Sequence, residues 1–218
     1  MHKDLLFGLP AIRCNIDEKL YSKEKLVDTI LKNYNTNPNR NSWDLNNKFE
    51  NSNLHHSYNN DNDDFENIDY SELMPIYTDT ISKCLSQLNF KKQKFKFNFY
   101  IANYTCIKEN HYMKSHIHTD SNFSAIHYLK FDEKEHHPTI FENTHNYAPF
   151  AGKLSGDFSD QLDDSYSENS WMHTHYSLKT KENDFVLTPS FLEHSVPFHK
   201  KCRNHRVTIV LNINIEKL

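Results

Sequence analysis

Residues 94–104, KFKFNFYIANY, alternate polar and apolar side chains over eleven positions, a period of two that predicts a β-strand with one face buried. Upstream the period is different. Ser22 is a plausible N-cap for a helix in which Leu26, Val27, Ile30, Leu31 and Tyr34 recur at helical spacing. Ser71 is placed to cap a second helix, with Pro75 tolerated in its first turn and Leu73, Tyr77, Ile81, Cys84 and Leu88 forming one apolar stripe. A strand is expected ahead of both helices, over residues 5–16. Downstream, short strands are expected at 115–120, 123–131, 138–143, 171–178, 184–188, 194–197 and 206–215, separated by polar turns. Two helices followed by about eight short strands predict a mainly β fold with helices (α+β), a double-stranded β-helix or jelly roll with N-terminal helices packed on one sheet.

The 218 residues suit a single domain spanning 1–218. It carries two polar excursions, 33–67, where 13 of 35 residues are Asn, and 144–170. A net charge of −4 offers no global attraction for a polyanion, which argues against a nucleic-acid partner. Lys91, Lys92, Lys94 and Lys96 form a local basic run, but they alternate with Phe95, Phe97 and Phe99 and read as the solvated face of a strand. Cys14, Cys84, Cys106 and Cys202 make no Cys-x-x-Cys pair and read as reduced thiols. No window approaches the roughly 18 apolar residues of a membrane span, so a cytoplasmic protein is expected.

Chemistry enters at His118-Thr119-Asp120, followed 76 residues later by His194 and then by Arg206. Two imidazoles and a carboxylate are the facial triad of non-haem Fe(II) oxygenases, which leaves coordination positions open for co-substrate and O2. On a regular strand, the i, i+2 spacing projects His118 and Asp120 from one face. His116 shares that face and is the alternative third ligand in a histidine-only site. Among the 15 histidines, His173 and His175 repeat the spacing without a matching context, and His55-His56 and His136-His137 fall in polar turns.

The segments HIHTDSNFSAIHYLK (116–130), PTIFEN (138–143), DFVLTPSFLEHSVPF (184–198) and RVTIVLNI (206–213), after the opening LLFGLPAIRCNI (5–16), carry a resemblance that covers most of the chain. They resemble the 2-oxoglutarate and Fe(II)-dependent oxygenases, and within them a family frequent in marine bacteriophages. The departures are Asp184 and Ala125, which stand where glycine is usual, and Asp120, which follows Thr119 where relatives often carry Pro and a small residue.

The resemblance implies Fe(II), 2-oxoglutarate and O2 as cofactor and co-substrates. It also implies hydroxylation of a substrate coupled to decarboxylation of 2-oxoglutarate to succinate; a phage-encoded enzyme would act in the infected host's cytoplasm. By the same resemblance Arg206 anchors 2-oxoglutarate, and its planar fork suits a carboxylate. Arg203 is close enough in sequence to compete. Thr208 lies on the same strand face as Arg206, and Tyr100 and Tyr104, which share a face if their strand is regular, are candidates for a phenol contact to the same carboxylate. The alternatives are a cupin-type metal protein with other chemistry and a non-catalytic jelly-roll binding protein. The substrate is open between a small molecule and a peptide. Trp43, Phe49, Tyr147 and Trp171 stand in the excursions, where they could line a cover over it or pin the loops to the barrel.

Overall fold

The computed structural model describes residues 9–38, 52–57, 65–90, 94–143 and 175–218. Trp43, Phe49, Tyr147, Trp171, His173, Lys91 and Lys92, residues 5–8 and the whole excursion 144–170 lie outside them. Helix α1 (Lys23–Thr36) buries Leu26, Val27, Ile30 and Tyr34, and α2 (Leu73–Gln87) buries Leu73, Tyr77, Ile81, Cys84 and Leu85. These are the stripes that the helical spacing predicts, and each large side chain so buried contributes about 1.5–3 kcal/mol. The capping differs from expectation. Glu72, not Ser71, occupies the N-cap of α2. Ser22 makes no side-chain cap; its hydroxyl and its N–H both donate to the Glu72 carboxylate, at 3.2 and 2.6 Å, tying the starts of the two helices together. No helix among the described residues is long and apolar enough to cross a membrane.

Eleven strands form two antiparallel sheets among the described residues. The six-stranded sheet contains β1 (Ile12–Asn15), β3 (His55–His56), β4 (Phe95–Ile107), β6 (Phe123–Lys130), β9 (Asp184–Pro189) and β11 (Arg206–Lys217), in the order β1-β9-β6-β11-β4-β3. The five-stranded sheet contains β2 (Ser52–Asn53), β5 (Tyr112–His116), β7 (Ile140–Glu142), β8 (His175–Ser177) and β10 (His194–Val196), in the order β2-β5-β10-β7-β8. The helices pack on one face of the larger sheet, whose Phe185, Leu187, Val207, Ile209, Leu211 and Ile213 join their core. Its other face looks onto the smaller sheet. This is the expected double-stranded β-helix, with open rather than closed sheets.

Among the described residues, left-handed turns fall to asparagine. Asn89, Asn110 and Asn183 have φ of 60°, 66° and 66°, and the three glycines of the sequence all lie outside the described residues. Asn tolerates that region better than other residues with a Cβ.

Three local readings change. The Asn-rich excursion is not structureless at its start or centre, because α1 runs to Thr36 and β2 and β3 pair with β5 and β4. His55 and His56 are therefore buried strand residues, and His136 is buried as well. Finally, β4 is not regular. Val210 pairs with Asn103 while Leu211 pairs with Ile101, so Ala102 is a bulged extra residue. The bulge reverses the alternation, putting Tyr100, Asn103 and Thr105 on the inter-sheet face and turning Tyr104 to the helices.

Candidate functional site

Between the sheets lies a small, partly open cavity. Asn103, Thr105, Arg206, Thr208 and Val210 line it from the larger sheet, and Met113, His116, His194 and Val196 from the smaller one. Ile126, His118 and Thr139 complete the wall.

His116 ends β5 and pairs with His194 at the start of β10, so sheet register sets these two imidazoles side by side with ring centroids 4.4 Å apart. His118 stacks on His194 at 5.3 Å. One nitrogen from each of His116, His118 and His194 lies within 4.8 Å of the others. Their outward nitrogens are all engaged. Nδ1 of His116 donates to the Lys114 carbonyl and Nδ1 of His194 to the Leu192 carbonyl, both at 2.9 Å. Nδ1 of His118 meets Asn212 Oδ1 at 2.7 Å. A carbonyl can only accept, so Nδ1 carries the proton and Nε2 of His116 and His194 is left with its lone pair.

Burial lowers all three imidazoles below their ordinary pKa, His194 to about 3 and His116 to about 4. In His118 the downward shift is partly opposed by Asn212 and by the charge of Asp120. All three are neutral at neutral pH, the form that ligates metals. His118 Nε2 is buried without a hydrogen-bond partner. A buried imidazole nitrogen left unsatisfied beside two others is what a first-row divalent metal would complete, so this donor set fits iron.

Asp120 is not in that group. β5 ends at His116, and the turn that follows is held by the His118 N–H on the Ser190 carbonyl (3.0 Å) and the Asn122 N–H on the Ile213 carbonyl (3.0 Å). The strand period on which the His118/Asp120 pairing relied does not extend this far. The carboxylate instead accepts from the Tyr100 hydroxyl at 2.5 Å and from Asn212 Nδ2 at 3.2 Å.

Arg206 opens β11 at the cavity floor and is 1% exposed. Nη2 donates to Thr139 Oγ1 at 3.2 Å, the guanidinium lies 5.1 Å from the centre of the Tyr128 ring, and Nε has no partner. None of the ion pairs among the described residues involves it. Burial lowers its pKa, against a favourable interaction with Tyr128. A buried cation without a counter-charge is costly, and the cavity beside it is where an anion could relieve that cost. Thr208 and Thr105 hydroxyls, 2.6 Å apart, and the unpartnered Asn103 Oδ1 border the same space. Arg203, by contrast, is exposed and has its backbone N–H on Glu135.

Of the two candidate phenols, Tyr104 meets His55 Nε2 at 3.1 Å on the helix side, turned there by the bulge at Ala102. Tyr100 sits over Asp120 at the rim, 43% exposed. His175 is an exposed residue of β8. Asn103, Thr139 and Asn212 were not anticipated as site residues. The period of two could have found Asn212, because counting in twos from Arg206 through Thr208 reaches it on the same face of β11.

Residues 104–212, half of the chain, match the family described as "Putative 2OG-Fe(II) oxygenase". No curated protein sequence matches. Among solved structures the fold is similar to that of a Pseudomonas putida prolyl-4-hydroxylase, with a TM-score of 0.50 and 10% identity over 94% of this chain and 92% of that one. A viral collagen prolyl hydroxylase from Paramecium bursaria Chlorella virus-1, in complex with 2OG, gives a TM-score of 0.49 at 12% identity over 93% and 94%. HygX from Streptomyces hygroscopicus, with nickel and 2-oxoglutarate bound, gives 0.47 at 9% identity over 94% and 83%.

Proposed function

The chain belongs to the 2OG-Fe(II) oxygenase family, and from that membership we propose that it is an Fe(II)- and 2-oxoglutarate-dependent dioxygenase, a single catalytic domain that hydroxylates its substrate. The observation that carries the assignment is the pairing, in one cavity, of three convergent neutral imidazoles with a buried Arg206 that makes no ion pair among the described residues.

His116, His118 and His194 would hold the iron, His116 taking the role that the strand argument offered to Asp120. Arg206 would bind the far carboxylate of 2-oxoglutarate through its guanidinium, with Thr208 and Thr105 able to add hydroxyl contacts. When bound, the metal supplies O2 activation coupled to oxidative decarboxylation of the 2-oxo acid. Apolar walls at Met113, Ile126, Val196 and Val210 exclude water from the reacting end. Sheet register fixes His116 against His194, so two of the three ligand positions are set by backbone pairing, and His118 is held in the following turn by its N–H on the Ser190 carbonyl.

A histidine-only set also suits the cupin-type alternative. Arg206 speaks for the 2-oxo acid, because chemistry without a carboxylate co-substrate leaves a buried guanidinium uncompensated. The substrate is a small molecule or a peptide, and the prolyl hydroxylases of similar fold make proline-containing peptides the first panel to screen. With Fe(II), 2-oxoglutarate and O2, the wild type is expected to form succinate, increased by a true substrate and abolished in His194→Ala and Arg206→Ala. Succinate formation no greater in wild type than in Arg206→Ala would contradict the assignment.

A further inference from the structure

Asn212 stands in the middle of a four-residue chain of hydrogen bonds that begins on a candidate ligand and ends on a carboxylate at the rim. Its Oδ1 meets His118 Nδ1 at 2.7 Å, while its Nδ2 donates to the Tyr100 hydroxyl at 2.8 Å and to Asp120 Oδ1 at 3.2 Å. The Tyr100 hydroxyl spends its own proton on Asp120 Oδ2, at 2.5 Å.

The polarity of this chain has one self-consistent solution. Both groups on the rim side of Asn212 are acceptors toward it, the carboxylate by its nature and the phenol because its proton is already committed. The amide must therefore turn its NH2 toward the rim, which leaves its oxygen facing the imidazole. An amide oxygen can only accept, so His118 must carry its proton on Nδ1. Nε2 is then a lone pair, and it is this atom that is buried without a partner on the cavity side.

His116 and His194 reach the same tautomer by donating to backbone carbonyls, which cannot be reversed. His118 alone depends on a side chain that could flip. Resting on the reading that His118 is a metal ligand, we propose that Asn212 is a positioning residue that fixes the His118 tautomer and ring orientation for metal binding. Asp120 and Tyr100 act one step further out by fixing the orientation of Asn212. The carboxylate of the His-x-Asp sequence thus serves the metal at one remove instead of binding it.

The test reads the tautomer directly. In the metal-free protein labelled with 15N-histidine, long-range 15N–1H correlation distinguishes the two neutral forms, and the His118 signal is identified by its loss in His118→Ala. The expected wild-type pattern is Nδ1–H, shifting toward Nε2–H in Asn212→Leu. Asp120→Ala changes an exposed residue and guards against a folding failure at position 212; it is expected to shift the pattern in the same direction by a smaller amount. Anaerobic Fe(II) affinity should fall by roughly 10- to 100-fold in Asn212→Leu, by less in Asp120→Ala, and beyond detection in His118→Ala. The reciprocal exchange Asp120→Asn with Asn212→Asp keeps an acceptor on His118 and a donor beside it, and should restore the Nδ1–H form.

An unchanged tautomer in Asn212→Leu, with Fe(II) still lost in His118→Ala, overturns the inference and leaves the metal site standing. Loss of Fe(II) in Asp120→Ala as complete as in His118→Ala makes Asp120 a direct ligand and also overturns it. Undiminished Fe(II) binding in His118→Ala removes the metal site itself, and the inference with it.

Discussion

The two faces of β11 are both largely buried, and they differ in chemistry. Val207, Ile209, Leu211 and Ile213, each at 0% exposure, enter the core under the helices, while Arg206, Thr208 and Asn212, at 1%, 2% and 5%, face the space between the sheets. The first face is complete in itself, since every side chain on it is satisfied by apolar packing. The second leaves Arg206 Nε, Asn103 Oδ1 on the neighbouring β4 and, across the cavity, His118 Nε2 without partners. A strand that is stable on one side and chemically unfinished on the other marks where a ligand belongs.

The contrast predicts opposite outcomes for substitutions on the two faces. Leu211→Ala should destabilise the fold by about 2–5 kcal/mol in denaturant unfolding, leaving the Fe(II) affinity of the folded fraction unchanged. Arg206→Met should weaken 2-oxoglutarate binding by at least roughly 100-fold, about 2.7 kcal/mol, without lowering the melting temperature, because it removes an uncompensated buried charge. A clear fall in stability in Arg206→Met would mean that the guanidinium is already satisfied within the protein and would break the comparison.

Acid tests both faces together. His127, buried on the helix side against Tyr77 (2.8 Å), is pushed by burial to a pKa of about 3, and His194 on the cavity side also to about 3. Both folded values lie below the unfolded value of about 6.5. The unfolded state therefore binds more protons, so this contribution is fully present above about pH 6.5 and is lost as pH falls from there toward the folded values. The melting temperature of the metal-free protein should drop between pH 7 and pH 5, at up to about 1.4 kcal/mol per pH unit for each imidazole. A flat profile over that range would show that these histidines are solvated. The smallest expected effect is Thr208→Val, which removes one hydroxyl from the cavity and should weaken 2-oxoglutarate by a few-fold, about 1 kcal/mol, in calorimetry.

Much of this was legible in the chain itself. The apolar stripe of α2 and the alternation of β11 follow from periodicity alone, and His118, His194 and Arg206 do come to one cavity. What escaped was set by tertiary pairing. The bulge at Ala102 is fixed by the pairing of β4 with β11 and escapes a reading of β4 as one regular strand, yet it decides that Asn103 and not Tyr104 faces the cavity. The end of β5 at His116 is equally silent, since Ile117 through Asp120 could continue a strand, and it separates the histidines from the carboxylate. The short strands at Ser52–Asn53 and His55–His56 sit in an Asn-rich stretch whose propensities oppose them, and they exist because β5 and β4 offer edges to pair with.

The most direct test of the account is an anaerobic titration of the metal-free protein with Fe(II) and then 2-oxoglutarate, followed through the weak visible charge-transfer band of the chelated metal in wild type and Arg206→Met. The account predicts a band in wild type that is lost or strongly weakened in Arg206→Met while Fe(II) remains bound. Fe(II) bound in wild type with no band on adding 2-oxoglutarate, or a band of equal strength in Arg206→Met, would contradict it.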